Sequence, residues 1–321
     1  MNHPVKRRRV PVHGVLLLDK PAGMSSTQAL AKAKWLLNAE KAGHTGTLDP
    51  FATGLLPLCF GEATKYASDL LDADKSYEAT IHLGVTTSTG DIEGEVIENR
   101  EVRVTREQID TVLSHFSGKI SQTPPMYSAL KVNGKPLYAY AREGITLERK
   151  AREIVIYSIE LMEFDIVTLT IRVSCSKGTY VRVLGEDIGK ALGCGAHLTQ
   201  LRRTSIAHLS VADAIPLSVL EENSESHFPL LQPVDSLTSM LPTIRLNEDL
   251  IRRFMHGQRL ALVREWAEHR LSAPPPEGRV RVLGPAGDFA GTAVVNHDQV
   301  LIPERVLSNT AQAAEVSARS R

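Results

Sequence analysis

The stretch EIVIYSIELMEFDIVTLTIRVSC, residues 153–175, decides the fold. It holds two extended runs, 153–164 and 166–175, and the second alternates Val167, Leu169, Ile171, Val173 and Cys175 with polar residues. Period-2 alternation marks a half-buried strand. Two strands joined this tightly pair as a hairpin, because a parallel pair needs a long crossover. Residues 75–83 repeat the pattern, with Tyr77, Ala79, Ile81 and Leu83 on one side and Ser76, Glu78, Thr80 and His82 on the other. Further strands are predicted over 14–18, 55–60 and 195–205.

Helices fall between these strands. Ser25 or Ser26 caps one with Ala29, Leu30, Ala33, Leu36 and Leu37 at helical spacing. A short helix is predicted over 62–71. Thr105 and Gln108 form a capping box ahead of Ile109, Val112, Leu113 and Phe116. A fourth helix spans 180–192, with Val181, Leu184, Ile188 and Leu192 inward and Gly193 as its cap. Such mixing predicts an α+β fold on a mixed, mainly antiparallel sheet.

The domain plan follows from where these patterns stop. Residues 1–12 read as a basic, disordered tail, 13–242 as the main domain and 308–321 as a second disordered tail. Within the main domain, 121–152 lacks a steady period and reads as an excursion, and 215–240 reads as an acidic linker. Residues 243–307 form a small β-rich module, opened by a helix that Asn247 caps and Gly257 closes. Its strands are predicted at 260–263, 279–284, 289–295 and 300–302, with Pro274-Pro275-Pro276 in an exposed loop over 264–278.

At 321 residues, 42% hydrophobic and 23% charged, the chain has an ordinary globular composition. No run approaches the roughly 20 apolar residues of a membrane span, and the basic run at residues 6–9 has too short an apolar stretch behind it for a signal peptide. A cytoplasmic protein is expected. Cys59, Cys175 and Cys194 show neither disulfide nor zinc spacing. The net charge of +0 conceals segregation. Residues 121–153 carry six Lys or Arg against three acids and 172–203 six against two, whereas 215–240 carry four acids and no base. A basic face for a phosphate backbone and an ordinary solvated surface fit this equally. In 121–152, Tyr127, Tyr138 and Tyr140 interleave with Lys131, Lys135, Arg142, Arg149 and Lys150, which suits looped RNA. A plain surface subdomain is the alternative.

Phosphate-loop, HExxH, GxSxG and dinucleotide-binding motifs are absent. What remains for chemistry is Asp49, in Gly43-His44-Thr45-Gly46-Thr47-Leu48-Asp49-Pro50. The glycines and Pro50 stiffen this loop and can hold a carboxylate at a cleft floor. Read alone, Asp-Pro favours a simple turn.

Together with Lys75-Ser76-Tyr77 and Ser176-Lys177-Gly178-Thr179-Tyr180-Val181-Arg182, that loop closely resembles the signature stretches of the TruB family of pseudouridine synthases. Lys20-Pro21-Ala22-Gly23-Met24-Ser25-Ser26 is similar to the family's first motif. The run from Pro124 to Gly134 resembles its RNA-gripping insertion, and the segment from Cys194 to Arg203 also looks familial. The resemblance covers roughly residues 13–205 and, more loosely, the end.

This resemblance implies a pseudouridine synthase catalytic domain, a C-terminal PUA-like RNA-binding module, and isomerisation of uridine 55 in the T loop of tRNA. No metal or cofactor is implied. The implied partner is the tRNA T stem-loop, with no guide RNA, for a monomeric, stand-alone enzyme. Asp49 becomes the catalytic carboxylate. Arg182 pairs with it, the guanidinium lowering a pKa that burial would raise. Tyr77 stacks on the flipped base and assists removal of the C5 proton, His44 holds displaced RNA, and Leu201 packs in the pocket. Tyr180 joins the RNA-binding set, and Lys20, Lys177 and Arg202 are phosphate contacts or exposed charges. The alternative, from another class, is an RNA-binding or tRNA-folding protein in which catalysis is secondary.

Overall fold

A computed structural model describes residues 8–222, 230–264 and 276–308. In chain order the first elements are β1 (Gly14–Lys20), α1 (Ser26–Leu36), β2 (Ala42–His44), β3 (Thr53–Phe60), β4 (Lys75–Leu83), β5 (Val85–Thr87) and β6 (Val96–Asn99). There follow α2 (Arg106–His115), β7 (Gly118–Gln122), β8 (Lys131–Val132), β9 (Lys135–Pro136), α3 (Leu137–Arg142), β10 (Arg152–Asp165) and β11 (Thr168–Cys175). The main domain ends with α4 (Val181–Ala191), β12 (Ala196–Ile206), β13 (Leu209–Ser210), β14 (Ile215–Pro216) and α5 (Leu217–Glu222).

One 10-stranded sheet runs β14-β1-β3-β12-β4-β11-β10-β7, with β2 added to β3 and β13 to β12. β10 and β11 pair antiparallel as their tight connection requires, and β4 joins β11 with Tyr77 opposite Val173. Among the described residues, the parallel pairs of this sheet are β1–β14 and β3–β12. The fold is therefore α+β on a mixed, mainly antiparallel sheet.

The helices cover one face. Ala29 and Ala33 of α1, Ile109 and Leu113 of α2, Leu184 and Ile188 of α4, and Leu217 and Leu220 of α5 share a core with Tyr77, Ala79 and Ile81 of β4. Capping boxes start two of them, Ser25 with Gln28 and Thr105 with Gln108. The other face buries Val15, Leu17, Leu55, Cys59, Tyr66, Val234 and Leu237 in a second core.

Between β3 and β12 the parallel pairing spans only Arg202↔Thr53 and Arg203↔Gly54. The strands touch closely there. A Cβ on Gly54, whose φ is +99°, would stand 2.3 Å from the Arg203 carbonyl oxygen. The loop bearing Asp49 enters β3 at this narrow seam.

The C-terminal module comprises β15 (Thr243–Arg245), α6 (Glu248–Met255), β16 (Leu260–Ala261), β17 (Gly278–Leu283), β18 (Phe289–Val295) and β19 (Val300–Val306). Its five-stranded sheet, β15-β17-β18-β19-β16, closes over Leu250, Phe254, Val280, Ala293 and Leu301. Asn247 caps α6 as expected. The module also reaches the main domain. Phe289 joins the second core against Tyr66, Arg279 pairs with Asp69, and Arg281 pairs with the buried Asp235.

Several expectations change. The basic tail is shorter than residues 1–12, because Val10 bridges to Ala39 and Val12 is buried, and 1–7 lie outside the described residues. The helix expected over 62–71 is two 3-10 turns, Gly61–Lys65 and Ala67–Leu70. The acidic stretch 215–240 is no linker: β14 pairs with β1, and Leu217, Leu220, Val234 and Leu237 are core residues. The excursion proper occupies 123–151, since its expected ends belong to the paired strands β7 and β10. The loop at 264–278 lies almost wholly outside the described residues, as does the tail from 309.

Candidate active site

Asp49 sits in a loop tied from both sides. The buried Ser26 at the start of α1 accepts from the Leu48 N–H at 2.8 Å and donates to the Leu48 carbonyl at 3.0 Å. The Ala52 N–H donates to the Asp49 carbonyl and the Gly23 N–H to that of Pro50. Lys20 completes the clamp, its Nζ donating to the carbonyls of Pro21 (2.8 Å), Met24 (2.6 Å) and Pro50 (3.3 Å).

Arg182 comes from the first turn of α4 and is 3% exposed. Its Nε lies 2.9 Å from Asp49 Oδ2, and its Nη1 lies 3.4 Å from Asp91 Oδ2. Nη1 donates to the Thr89 carbonyl at 2.8 Å and Nη2 to the Tyr127 carbonyl at 2.6 Å. One guanidinium thus joins Asp49, the turn after β5 and the excursion. A fork with fixed donors suits this better than an ammonium.

Two hollows meet at this ion pair. The first, about 550 Å³, is lined by Asp49, Tyr77, Tyr180, Arg182, Leu201 and Arg203. The second, about 840 Å³, shares Asp49 and Arg182 and is walled by Ser25, Glu93, Tyr138 and Arg142. Asp49 stands on the ridge between them with 34% of its side chain accessible.

Burial raises the Asp49 carboxyl above its ordinary value, and the nearby Asp91 charge adds to this; Arg182 and Lys20 oppose it. The balance corrects the expectation that the guanidinium would win, because desolvation outweighs the pair. Burial also pushes Lys20 down to about 8, against the pull of Asp49. Tyr77 is raised by burial, with Arg203 opposing.

Of the residues expected from the sequence, Asp49, Tyr77, Tyr180, Arg182 and Leu201 converge. Others do not. Lys20 is fully buried with its ammonium enclosed by carbonyls, so it braces the loop instead of meeting phosphate. Arg202 points away from the cleft, because alternation along β12 sends Leu201 and Arg203 inward; it forms a bidentate pair with Asp19. His44 is half-buried on β2, lines neither hollow, and leaves Nδ1 without a partner. Lys177 pairs at the surface with Asp72, 3.0 Å away, beside the cavity-lining Gly178.

Two residues escaped the sequence reading. Asp91, in the Thr/Ser/Gly-rich turn after β5, is 2% exposed and accepts from the Glu93 N–H. Arg203, next to Arg202 in sequence, is 1% exposed, and the alternation with the inward Leu201 is the signal that it faces the core. Among the described residues no group of three or more His, Cys, Asp or Glu could hold a metal ion.

Family models match nearly the whole chain. The TruB family pseudouridylate synthase N-terminal domain matches residues 34–181, the tRNA pseudouridylate synthase B C-terminal domain 182–239, and the pseudouridine synthase II TruB C-terminal model 242–307. A tRNA pseudouridine synthase B of Ralstonia nicotianae is 54% identical over 311 residues, 94% of this chain and 96% of its own. The chain belongs to the TruB family. A tRNA pseudouridine synthase B of Burkholderia lata is 58% identical, with 95% of this chain and 94% of that protein covered. Among solved structures, a chain of a Cbf5-Nop10-Gar1 complex is 26% identical with a TM-score of 0.69, covering 94% of this chain and 87% of its own. A chain of an H/ACA RNP bound to a substrate RNA containing 2′-deoxyuridine is 25% identical with the same TM-score, covering 94% and 86%.

In this TruB-family chain, Asp49 and Tyr77 fall in the N-terminal family segment and Arg182 opens the next. The site offers the Asp49 carboxylate on the ridge, with Asp91 and Glu93 nearby, a cation fixed against it, tyrosine rings and two adjoining hollows. That set suits chemistry on a nucleotide lifted out of its stack.

Proposed function

We propose that this protein converts uridine 55 in the T loop of tRNA to pseudouridine, alone and without a guide RNA, with Asp49 as the catalytic carboxylate. The observation that carries the reading is the Asp49–Arg182 pair on the ridge between two hollows, one floored by Tyr77 and the other walled by Tyr138 and Arg142. Relatives about as long as this chain and described as tRNA pseudouridine synthase B support the substrate class.

The reaction is an isomerisation, so bonds broken and formed balance within one nucleotide. The C1′–N1 bond breaks with its electron pair on the base, the base turns, C5 bonds to C1′, the C5 proton leaves, and N1 is protonated. Asp49 acts as nucleophile, its carboxylate oxygen bonding to C1′ as the C1′–N1 bond breaks and being displaced when C5 bonds to C1′, and Arg182 keeps it oriented and anionic. Tyr77 stacks on the base and assists proton removal from C5, while Tyr180 and Leu201 pack around it. The mixed basic and aromatic excursion grips the T loop, with Lys177 at the rim. Residues 243–307 act as a PUA-like RNA-binding module. The enzyme works as a cytoplasmic monomer.

The test uses tRNA transcripts carrying tritium at uridine C5. The purified protein alone should release tritium and leave pseudouridine at position 55, and a transcript with cytidine at that position should abolish modification there. Modification elsewhere, or none without added RNA, would sink the reading. Undiminished tRNA refolding by Asp49→Asn would add the RNA-folding activity as a second role.

A further inference from the structure

Arg203 is among the largest fully buried side chains, 1% exposed, and it lines the same hollow as Asp49 and Tyr77. Its Nε donates to the Leu55 carbonyl at 2.8 Å and its Nη2 to the Gly46 carbonyl at 3.4 Å. Directly across the β12–β4 ladder is Tyr77, which lines the same hollow.

No carboxylate pairs with Arg203 among the described residues. Burial disfavours its charged form, and the nearby Lys20, His44 and Lys75 each have their protonated form disfavoured by Arg203. Asp49 is engaged by Arg182. An arginine stays charged at any accessible pH, and burying a cation without a counter-ion is costly. Such local violations concentrate at functional sites. The missing anion is therefore one that exists only during the reaction.

We propose that Arg203 is a positioning residue whose uncompensated charge, held in the cavity wall beside Tyr77, stabilises the uracil anion formed when the C1′–N1 bond breaks. This rests on the pseudouridine synthase reading above. Between cleavage and C5–C1′ bond formation the base carries the bonding pair of N1, with charge shared by O2 and O4. A preorganised cation behind the stacked ring favours that state without solvent rearrangement. With the residue 1% exposed, the guanidinium acts from within the cavity wall.

The test is a structure–reactivity comparison. Fluorine at C5 makes the uracil a better leaving anion, so an enzyme that has lost anion stabilisation should be partly rescued by 5-fluorouridine. Single-turnover consumption of uridine and of 5-fluorouridine at the target position is measured for wild type, Arg203→Gln and Arg203→Lys, with tRNA affinity alongside. Arg203→Gln should lose about 100-fold or more on uridine but only about tenfold on 5-fluorouridine, with affinity within about twofold of wild type. Arg203→Lys should keep the wild-type ratio between the two substrates. Equal losses on both substrates would mean that Arg203 merely supports the fold, and would overturn the proposal. If Arg203→Gln does not fold, Arg203→Lys decides: a uridine rate within about tenfold of wild type supports the charge role, and a larger loss overturns it. Wild-type inactivity on uridine would instead overturn the parent reading, and this inference with it.

Discussion

Replacing Arg182 by methionine keeps the side chain's length and deletes its charge. Asp49 is already raised by burial, and Arg182 is the largest influence holding it down. An adjacent guanidinium usually lowers a carboxylate by about 1–3 pH units, so the acidic limb of kcat/KM should move up by about that amount. On that limb each unit is a tenfold loss of ionised Asp49, giving about 10- to 1,000-fold less activity at a fixed acidic pH. Stability should fall too. Breaking a buried pair costs about 3–5 kcal/mol, reduced here to about 2–3 because Asp49 is 34% exposed. The sign with pH is set by the raised carboxyl. Its folded form binds the proton more tightly than the unfolded chain does, so the variant's deficit should shrink as pH falls through the raised value and be largest above it. Tritium release and thermal melting, each followed across the pH range, measure both effects. Arg182→Lys should restore the limb but not the full rate, since an ammonium cannot span Asp49, Thr89 and Tyr127 together. An unmoved limb in Arg182→Met would refute the electrostatic argument.

Three further outcomes are expected. Gly54→Ala would place a Cβ 2.3 Å from the Arg203 carbonyl oxygen at a φ of +99°, so it should part β3 from β12 and abolish tritium release along with lowering the melting temperature. Lys20→Met should lose a specific pH dependence: Lys20 titrates at about 8 in the fold against 10.5 outside it, so the unfolded chain binds more protons across that window. Wild-type melting should therefore gain on Lys20→Met as pH rises through the window, and parallel curves would count against a buried ammonium. Asp235→Ala should strand Arg281, whose side chain is 18% exposed, costing about 3 kcal/mol in denaturant unfolding and speeding hydrogen exchange in β17 and β18.

Much of the scaffold was legible because short-range rules and burial agreed. The alternation in β4 and β11, the capping box at Thr105, the serine cap of α1, the Asn247 cap and the strand Phe289–Val295 all combine a local signal with a matching core face. Illegible elements had one signal without the other. The hairpin of β5 and β6 was missed because Val96 and Ile97 are exposed and leave no buried face to read. The segment 215–240 was misread because its charge suggested solvent while its few apolar residues, spaced irregularly, reach two different cores.

The same division runs through the site. Asp49, Tyr77 and Arg182 lie in recognisable motifs, and their meeting follows from β4, α4 and the seam before β3. Lys20 and Arg203 carry charges that sequence patterns assign to the surface. Their burial depends on backbone carbonyls supplied by distant loops, which no local pattern encodes. Asp91 is hidden for a related reason, since only the approach of Arg182 from α4 makes a turn aspartate part of the cleft.

The central claim is that Asp49 carries the reaction while the rest of the cleft holds the RNA. Asp49→Asn keeps the size and most hydrogen-bonding capacity of the side chain and removes its nucleophilicity. Incubated with tRNA tritiated at uridine C5, it should release no tritium above background while binding that tRNA as tightly as wild type. Release by Asp49→Asn at a rate near that of wild type would contradict the account.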